Sequence, residues 1–272
     1  MMRQSRLDDS PIAYYISGNG HDEWCMFLHA AFVDHRMFNK QIAYFENRYN
    51  VLAVDIIGHG QSTDTKKGDS IEQMSAWLRD ILKAEKIKKI HLVGVSLGSV
   101  LAQDFANRYP ETVNSLACFG GYDINHFDVK AQRKNSASQI LMMLKAMISV
   151  KWFAAANKKI SACTPQAQTE FYDMNIQFPK KSFMYLSSLN HMVNVCQAGP
   201  RTYPLMIGCG QYDIPQESAE VKLWKSREPQ CKVVIFENAG HCVNMDAPQK
   251  FNEAIEQFWE KCSAVHRTDV LS

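Results

Sequence analysis

Long apolar runs are missing from this chain. No window approaches the roughly 18 uncharged apolar residues of a membrane-spanning helix, and the most apolar helical stretch, Ile140 to Val150, contains Lys145. The segment Met1 to Ser17 has charges at Arg3, Arg6, Asp8 and Asp9 and no apolar core, so no signal peptide is expected. An excess of either charge is missing too. Thirty Lys and Arg against 28 Asp and Glu leave +2, which gives no reason to expect nucleic acid or an anionic membrane surface as a partner. Glycine (13) and proline (9) are scarce in 272 residues and 46% are hydrophobic, which excludes a collagen-like or disordered chain. The eight cysteines stand singly, at 25, 118, 163, 196, 209, 231, 242 and 262, with no C-x-x-C pair. Neither a disulfide framework nor a zinc site is therefore expected, and a reducing, cytoplasmic setting fits. The length suits one large domain, or one with an insert.

What is present is an alternation. Short β-like runs at Trp24–Leu28, Asn50–Val54, Ile90–Val95, Ser115–Phe119, Pro204–Gly208 and Lys232–Phe236 are separated by longer helical patterns. Several runs are apolar on consecutive residues, as expected of parallel strands covered on both faces. Ile71, Met74, Leu78, Ile81 and Leu82 recur at helical spacing behind a Ser70/Gln73 capping box. A second helix starts at Leu97 and stops at Tyr109-Pro110. A third, after Asp246, aligns Phe251, Ala254, Ile255, Phe258 and Cys262. Two further β-like segments, near Arg3–Leu7 and Ile12–Ile16, suit an antiparallel edge. The pattern predicts an α/β fold with a mostly parallel central sheet flanked by helices.

From Tyr122 to about Gly199 no strand pattern is visible, only helical ones, and Gly120-Gly121 and Gly199-Pro200 punctuate its ends. The expected organisation is a core of residues 1–121 and 200–272 with an inserted helical cap over residues 122–199.

Gly94-Val95-Ser96-Leu97-Gly98 has the form G-x-S-x-G, follows a strand and opens a helix, which is the context of a nucleophile elbow. A serine hydroxyl needs a base to take its proton and a third group to orient that base. Asp213 follows the strand at 204–208, and His241 follows the strand at 232–236. The order Ser96, Asp213, His241 is the one this architecture uses. Asp123, after Phe119-Gly120-Gly121-Tyr122, is a rival for the acid. His59, in Gly58-His59-Gly60, and His29 read as loop-ordering residues, and Asp55 as the cap of the turn after its strand. His126 and His191 fall in the cap as surface residues or substrate contacts.

Leu28-His29-Ala30-Ala31, Asp55-Ile56-Ile57-Gly58-His59-Gly60-Gln61-Ser62, the elbow, and the Asp213 and His241 loops together resemble the α/β-hydrolase superfamily, in its capped serine hydrolase and esterase branch. The resemblance runs from about residue 24 to 262. It implies Ser96 as nucleophile, His241 as general base and then acid, and Asp213 as the group that holds the imidazolium. The oxyanion hole it implies is made of the backbone N–H groups of Leu97 and Ala31. Two departures stand out: Ala30 where many relatives carry glycine, and Ser99 where a second glycine is frequent. Serine at the elbow disfavours the epoxide-hydrolase and haloalkane-dehalogenase branches, which need a carboxylate there, and the cysteine-dependent dienelactone hydrolases. No Gly-Gly-Gly run follows His29, unlike esterases that take tertiary-alcohol esters.

The cap is rich in soft, bulky side chains: Met142, Met143, Met147, Trp152, Phe153, Phe171, Tyr172, Met174, Phe178, Phe183, Met184, Tyr185 and Met192. These predict an apolar ceiling and a small, largely uncharged substrate. The expected activity is hydrolysis of a carboxylic ester, lactone or thioester through an acyl-enzyme. The same triad could serve C–C bond hydrolysis, perhydrolysis or a lyase step, and a ligand-binding sensor on this fold is the alternative of another class. No cofactor or metal is implied. The expected partner is a small-molecule substrate, with a homodimer left open.

Overall fold

The computed structural model describes residues 2–126, 149–189 and 201–269. Eight strands form one sheet: β1 Arg3–Arg6, β2 Ala13–Ser17, β3 Trp24–Leu28, β4 Asn50–Val54, β5 Ile90–Val95, β6 Val113–Phe119, β7 Leu205–Gly210 and β8 Lys232–Phe236. Their order is β1-β2-β4-β3-β5-β6-β7-β8. β2 pairs antiparallel with β1 and β4, and every pair from β4 to β8 is parallel. The β-like runs of the sequence thus become strands with small shifts in their ends. β6 begins two residues early because Val113 pairs with Ile90 across a register irregularity, and β7 runs on to Gly210 because that residue pairs with Phe236.

Two cores result, one on each face of the sheet, and the two-residue period of a strand divides its side chains between them. In β3, Met26 and Leu28 join one core while Cys25 and Phe27 join the other. Leu52 and Val54 of β4 part from Val51 and Ala53 in the same way. The helices α1 Asn39–Phe45, α2 Met74–Ala84 and α3 Leu97–Arg108 cover the first half of the chain. Ile81 and Leu101 bury the first face, Ile42 and Phe45 the second. The Ser70/Gln73 box is formed, with Ser70 N donating to Gln73 Oε1 at 2.9 Å, but it opens a single 3-10 turn before α2 begins.

Between β6 and β7 the described residues are helical, with α4 Val150–Ser161, α5 Pro165–Asn175 and α6 Phe183–Ser187. Ser149 and Thr164 cap α4 and α5 by accepting from Trp152 N and Ala167 N. Met142, Met143, Met147, His191 and Met192 lie outside the described residues. After β7 come α7 Pro215–Arg227, α8 Val243–Asp246 and α9 Pro248–Asp269. The stripe foreseen on α9 is buried at Phe251, Ile255, Phe258 and Cys262. No helix among the described residues is long and apolar enough to cross a membrane.

Asp55 ends β4 fully buried and takes four donors: His35 N and Nδ1 on Oδ1, Tyr15 Oη and Gln61 N on Oδ2. It orders the turn after β4, as expected, and ties β2 to it as well. Burial alone would raise its pKa, but the bond and charge of His35, the charge of His29 and the Gln61 N–H outweigh it and lower the value to about 2. A carboxylate whose pKa falls on folding stabilises the fold above its unfolded pKa, and that stability drains away as pH drops towards the folded value. Between pH 4 and pH 2 this group is expected to withdraw about 2 kcal/mol. The urea midpoint of the wild type should therefore fall more steeply over that range than the midpoint of Asp55→Asn.

Candidate active site

β5 stops at Val95 and α3 starts at Leu97, so the whole reversal is made at Ser96, with φ 55° and ψ −114°. That backbone costs on the order of 1–3 kcal/mol for a residue with a side chain, and it lifts the hydroxyl clear of the sheet. Its neighbours hold it there: Ser96 N donates to Phe119 O at 2.8 Å, and Ser99 N donates to Ser96 O at 2.9 Å. The flanking glycines follow from contact. A methyl group on Gly94 would strike the Gly98 carbonyl, and one on Gly98 would strike the Leu28 carbonyl at the end of β3.

His241 stands in the loop between β8 and α8, and Asp213 in the loop after β7. His241 Nδ1 lies 2.9 Å from Asp213 Oδ1, which also accepts from Ile214 N at 2.8 Å. The Asp213 side chain is fully buried, while 17% of the His241 side chain stays open to solvent. The imidazole rests on Gly120, the residue after the Phe119 carbonyl that holds Ser96. Gly120 has φ 57°, and a Cβ there would sit 3.0 Å from both Cε1 and Nδ1 of the ring. Ser96, His241 and Asp213 therefore all lie at the carboxyl ends of parallel strands, with Phe119 and Gly120 linking Ser96 to the imidazole. No hydrogen bond joins Ser96 Oγ to the ring. With Nδ1 engaged by the carboxylate, Nε2 is the nitrogen left to take a proton. Burial works against the imidazolium, but the bond and charge of Asp213, helped by the charge of Glu217, prevail and raise the His241 pKa above its ordinary value.

Leu97 is the first residue of α3, where an N–H has no acceptor within the helix. Ala31 lies in the turn after β3. Neither N–H finds a hydrogen-bond acceptor among the described residues. Next to Ala31, Phe32 is held at φ 70°. Its ring is clamped by Phe153, Phe178 and Phe183, with centroids 4.9, 5.3 and 5.6 Å away. Three of the anticipated aromatic residues thus form a ceiling over the loop. Trp152 and Met184 face solvent instead, and Phe171 and Met174 pack into the core around α1 and α9.

Asp123 belongs to another network. Fully buried, it pairs with Arg201 at 3.0 Å and accepts from His126 Nδ1 at 2.7 Å, and it makes no bond to His241. Arg201, itself 3% exposed, also pairs with Glu228. His126 is an exposed partner of Asp123. His29 orders loops, with Nδ1 on Ala30 O and Nε2 accepting from Ile56 N at 2.9 Å. His59 is fully buried, with Nδ1 on Ile57 O, and burial lowers its pKa to about 3.

Asp34, His35 and Asp55 are the group among the described residues with ligand atoms close enough for a cation. Their lone pairs are committed: Asp34 is gripped by Arg36 through Nε and Nη2, and Asp55 by the four donors above. A cavity of about 540 Å³ beside them is lined by Tyr15, Arg36, Gln61 and Gln177, and by none of Ser96, Asp213 or His241.

Sequence reasoning missed Asp246. Its carboxylate accepts from Gly240 N, Cys163 N, Thr164 N and Thr164 Oγ1, and so ties the histidine loop to the stretch between α4 and α5. Cys242 N adds a bond to Ser161 O at 2.7 Å. An aspartate two residues before Pro248 looks like an ordinary helix-start residue, so nothing local marks it. Glu217 was missed as well. Its only signal is its place four residues after Asp213, in the first turn of α7.

Residues 24–138 match the family model described as alpha/beta hydrolase fold. Among curated proteins, the chain is 23% identical to the (E)-2-((N-methylformamido)methylene)succinate hydrolase of Acinetobacter baylyi, over 94% of this chain and 97% of that one. Among solved structures it superposes on a thermophilic esterase from Thermogutta terrifontis with a TM-score of 0.78 and 18% identity, covering 96% and 99% of the two chains. On the enol-lactonase of Burkholderia xenovorans the TM-score is 0.74 at 18% identity, covering 95% and 100%. With its strand order, its serine at the β5–α3 reversal and these likenesses, the chain has the α/β-hydrolase fold.

Proposed function

We propose that this α/β-type hydrolase is a serine esterase that cleaves small, largely uncharged carboxylic esters, lactones or thioesters. The observation that carries the reading is the convergence at Gly120. The Asp213-bound imidazole lies on that residue, and the carbonyl one residue earlier holds Ser96. Ser96 Oγ attacks the acyl carbon while its proton passes to His241 Nε2, and the Asp213 carboxylate stabilises the imidazolium. The oxyanion is met by Leu97 N–H and Ala31 N–H. Collapse of the tetrahedral adduct breaks the bond to the alkoxide, which leaves with the proton from His241. Water then enters, gives a proton to His241 and releases the acid by the same sequence in reverse. The helical insertion acts as a cap, and the Phe153, Phe178 and Phe183 rings present an apolar wall to the acyl or alcohol group.

A panel of p-nitrophenyl esters with graded acyl length tests this. Multiple turnovers that favour short or medium acyl groups are expected. A stable one-to-one adduct, with no turnover of any member, would count for a sensor instead. The acid limb of kcat/KM follows the free base. Because the folded His241 pKa is raised, half-maximal kcat/KM is expected above pH 6.5, with activity falling as pH drops through that midpoint.

A further inference from the structure

The turn that carries Ala31 is tied down on both sides and loose in the middle. Before it, Leu28 pairs with Gly94 of β5, and a Cβ on Gly98 would strike the Leu28 carbonyl and crowd that of His29. The chain therefore leaves β3 pressed against the first turn of α3, beside Leu97. Ala30 N then donates to Met37 Sδ at 3.2 Å, and beyond the turn His35 N donates to Asp55 Oδ1 at 2.9 Å. Between these ties, neither the N–H nor the carbonyl of Ala31 or of Phe32 makes a hydrogen bond to a described residue. Phe32 also sits at φ 70°, a backbone that glycine adopts without strain and phenylalanine does not. What holds it is its ring. Phe153 of α4, Phe178 beyond α5 and Phe183 of α6 surround that ring at 4.9, 5.3 and 5.6 Å, and all three are buried. They brace one another as well: Phe178 and Phe183 meet at right angles at 5.1 Å, and Phe178 rests on the His59 ring at 4.7 Å.

We propose that Phe32 is a positioning residue for the ester hydrolysis described above: three rings of the insertion hold its side chain, and through it they hold the Ala31 N–H in register with the Leu97 N–H. The proposal rests on the serine-esterase reading and deepens it. The two donors are supported unequally. Leu97 opens a twelve-residue helix, whereas Ala31 lies on a turn whose own backbone bonds do not fix it. An oxyanion donor lowers the barrier only where charge develops, so a turn that relaxes by an ångström forfeits most of its effect. Such a turn still admits the ester, because the ground-state carbonyl asks less of the donor than the tetrahedral adduct does. Phe32 therefore acts on kcat, unlike a residue that only walls the pocket, which acts on KM. The insertion thus takes part in the chemistry through rings that need not touch the substrate.

The test pairs steady-state kinetics on a p-nitrophenyl ester with the rate of stoichiometric labelling by a fluorophosphonate, whose phosphonyl oxygen calls on the same two N–H groups. Phe32→Gly takes the left-handed backbone freely and lacks the ring. Its kcat and labelling rate are expected to fall roughly tenfold to a hundredfold while KM stays within about threefold. Phe178→Leu, which weakens the clamp from the side of the insertion, should lower kcat less and in the same direction. Phe32→Tyr keeps the ring and should recover most of what glycine loses. Wild-type kcat and labelling in Phe32→Gly overturn the proposal, and so does a rise in KM alone. Should the glycine variant fail to fold by circular dichroism, an unmoved kcat in Phe178→Leu overturns it equally. A wild-type protein that neither turns over the ester nor takes the label refutes the esterase reading, and this one with it. Turnover and labelling by the wild type, with unmoved constants in the variants, refute this one alone.

Discussion

Ser96→Ala is expected to lower kcat/KM toward a p-nitrophenyl ester by about 10⁵-fold or more, and to abolish labelling by a fluorophosphonate probe. The expected loss is large because the three residues act as one unit. Without Oγ, the imidazole has no proton to take and the two oxyanion donors have no adduct to stabilise. What remains is the modest advantage of a bound ester beside two N–H groups. The fold should not suffer. Among the described residues the Ser96 side chain makes no hydrogen bond, and the backbone bonds to Phe119 O and from Ser99 N do not depend on it. Alanine at φ 55° meets the same strain as serine, so the melting temperatures should agree to within a few degrees. Ester turnover near the wild-type rate by a folded Ser96→Ala protein would remove the nucleophile from this account.

The largest expected effect on stability comes from Arg201→Met. Its guanidinium pairs with Asp123 and Glu228, is almost wholly buried, and lies over the Trp224 ring at 5.3 Å. Methionine fills part of the volume but takes a cation from two carboxylates, leaving the fully buried Asp123 with His126 and the more distant Arg227 as its remaining partners. Removing one partner of such a pair costs about 3–5 kcal/mol, which for a chain of this size lowers the melting temperature by roughly 10 °C. The pair joins Asp123, at the start of the insertion, to Arg201, just before β7. Adding Asp123→Asn to Arg201→Met should recover part of the loss, because one of the stranded charges is gone. A double-mutant cycle by thermal denaturation would measure the coupling. Full additivity of the two substitutions would contradict the pairing.

Much of this was legible from local pattern. Strands β4 and β5 are buried from end to end, and their mostly apolar sequences, with Asn50 and His91 as the polar members, announced it. The elbow was legible because its glycines are dictated by backbone carbonyls one contact away. The choice of acid was not. Gly120-Gly121-Tyr122-Asp123 and Gly210-Gln211-Tyr212-Asp213 are nearly the same tetrapeptide, each after a strand. What separates them is the partner each one meets, Arg201 for one and His241 for the other, and both partners are distant in sequence. The roles of Phe32 and Asp246 escaped for the same reason. Phe32 sits at a positive φ while three rings from the insertion close over it. Asp246 has its meaning in backbone groups some 80 residues away.

The Asp246 carboxylate gives the insertion and the loop that carries His241 a common mooring. A gate that swings by lifting residues 163 and 164 would cast off the Gly240 N–H at the same moment and let the histidine loop drift. On the proposed scheme, any opening for substrate that keeps the His241 loop in place is confined to other parts of the insertion. The same holds for chimaeras: a foreign segment spliced between β6 and β7 must bring its own pair of backbone donors to this carboxylate, or the graft will fit the core and leave the imidazole adrift.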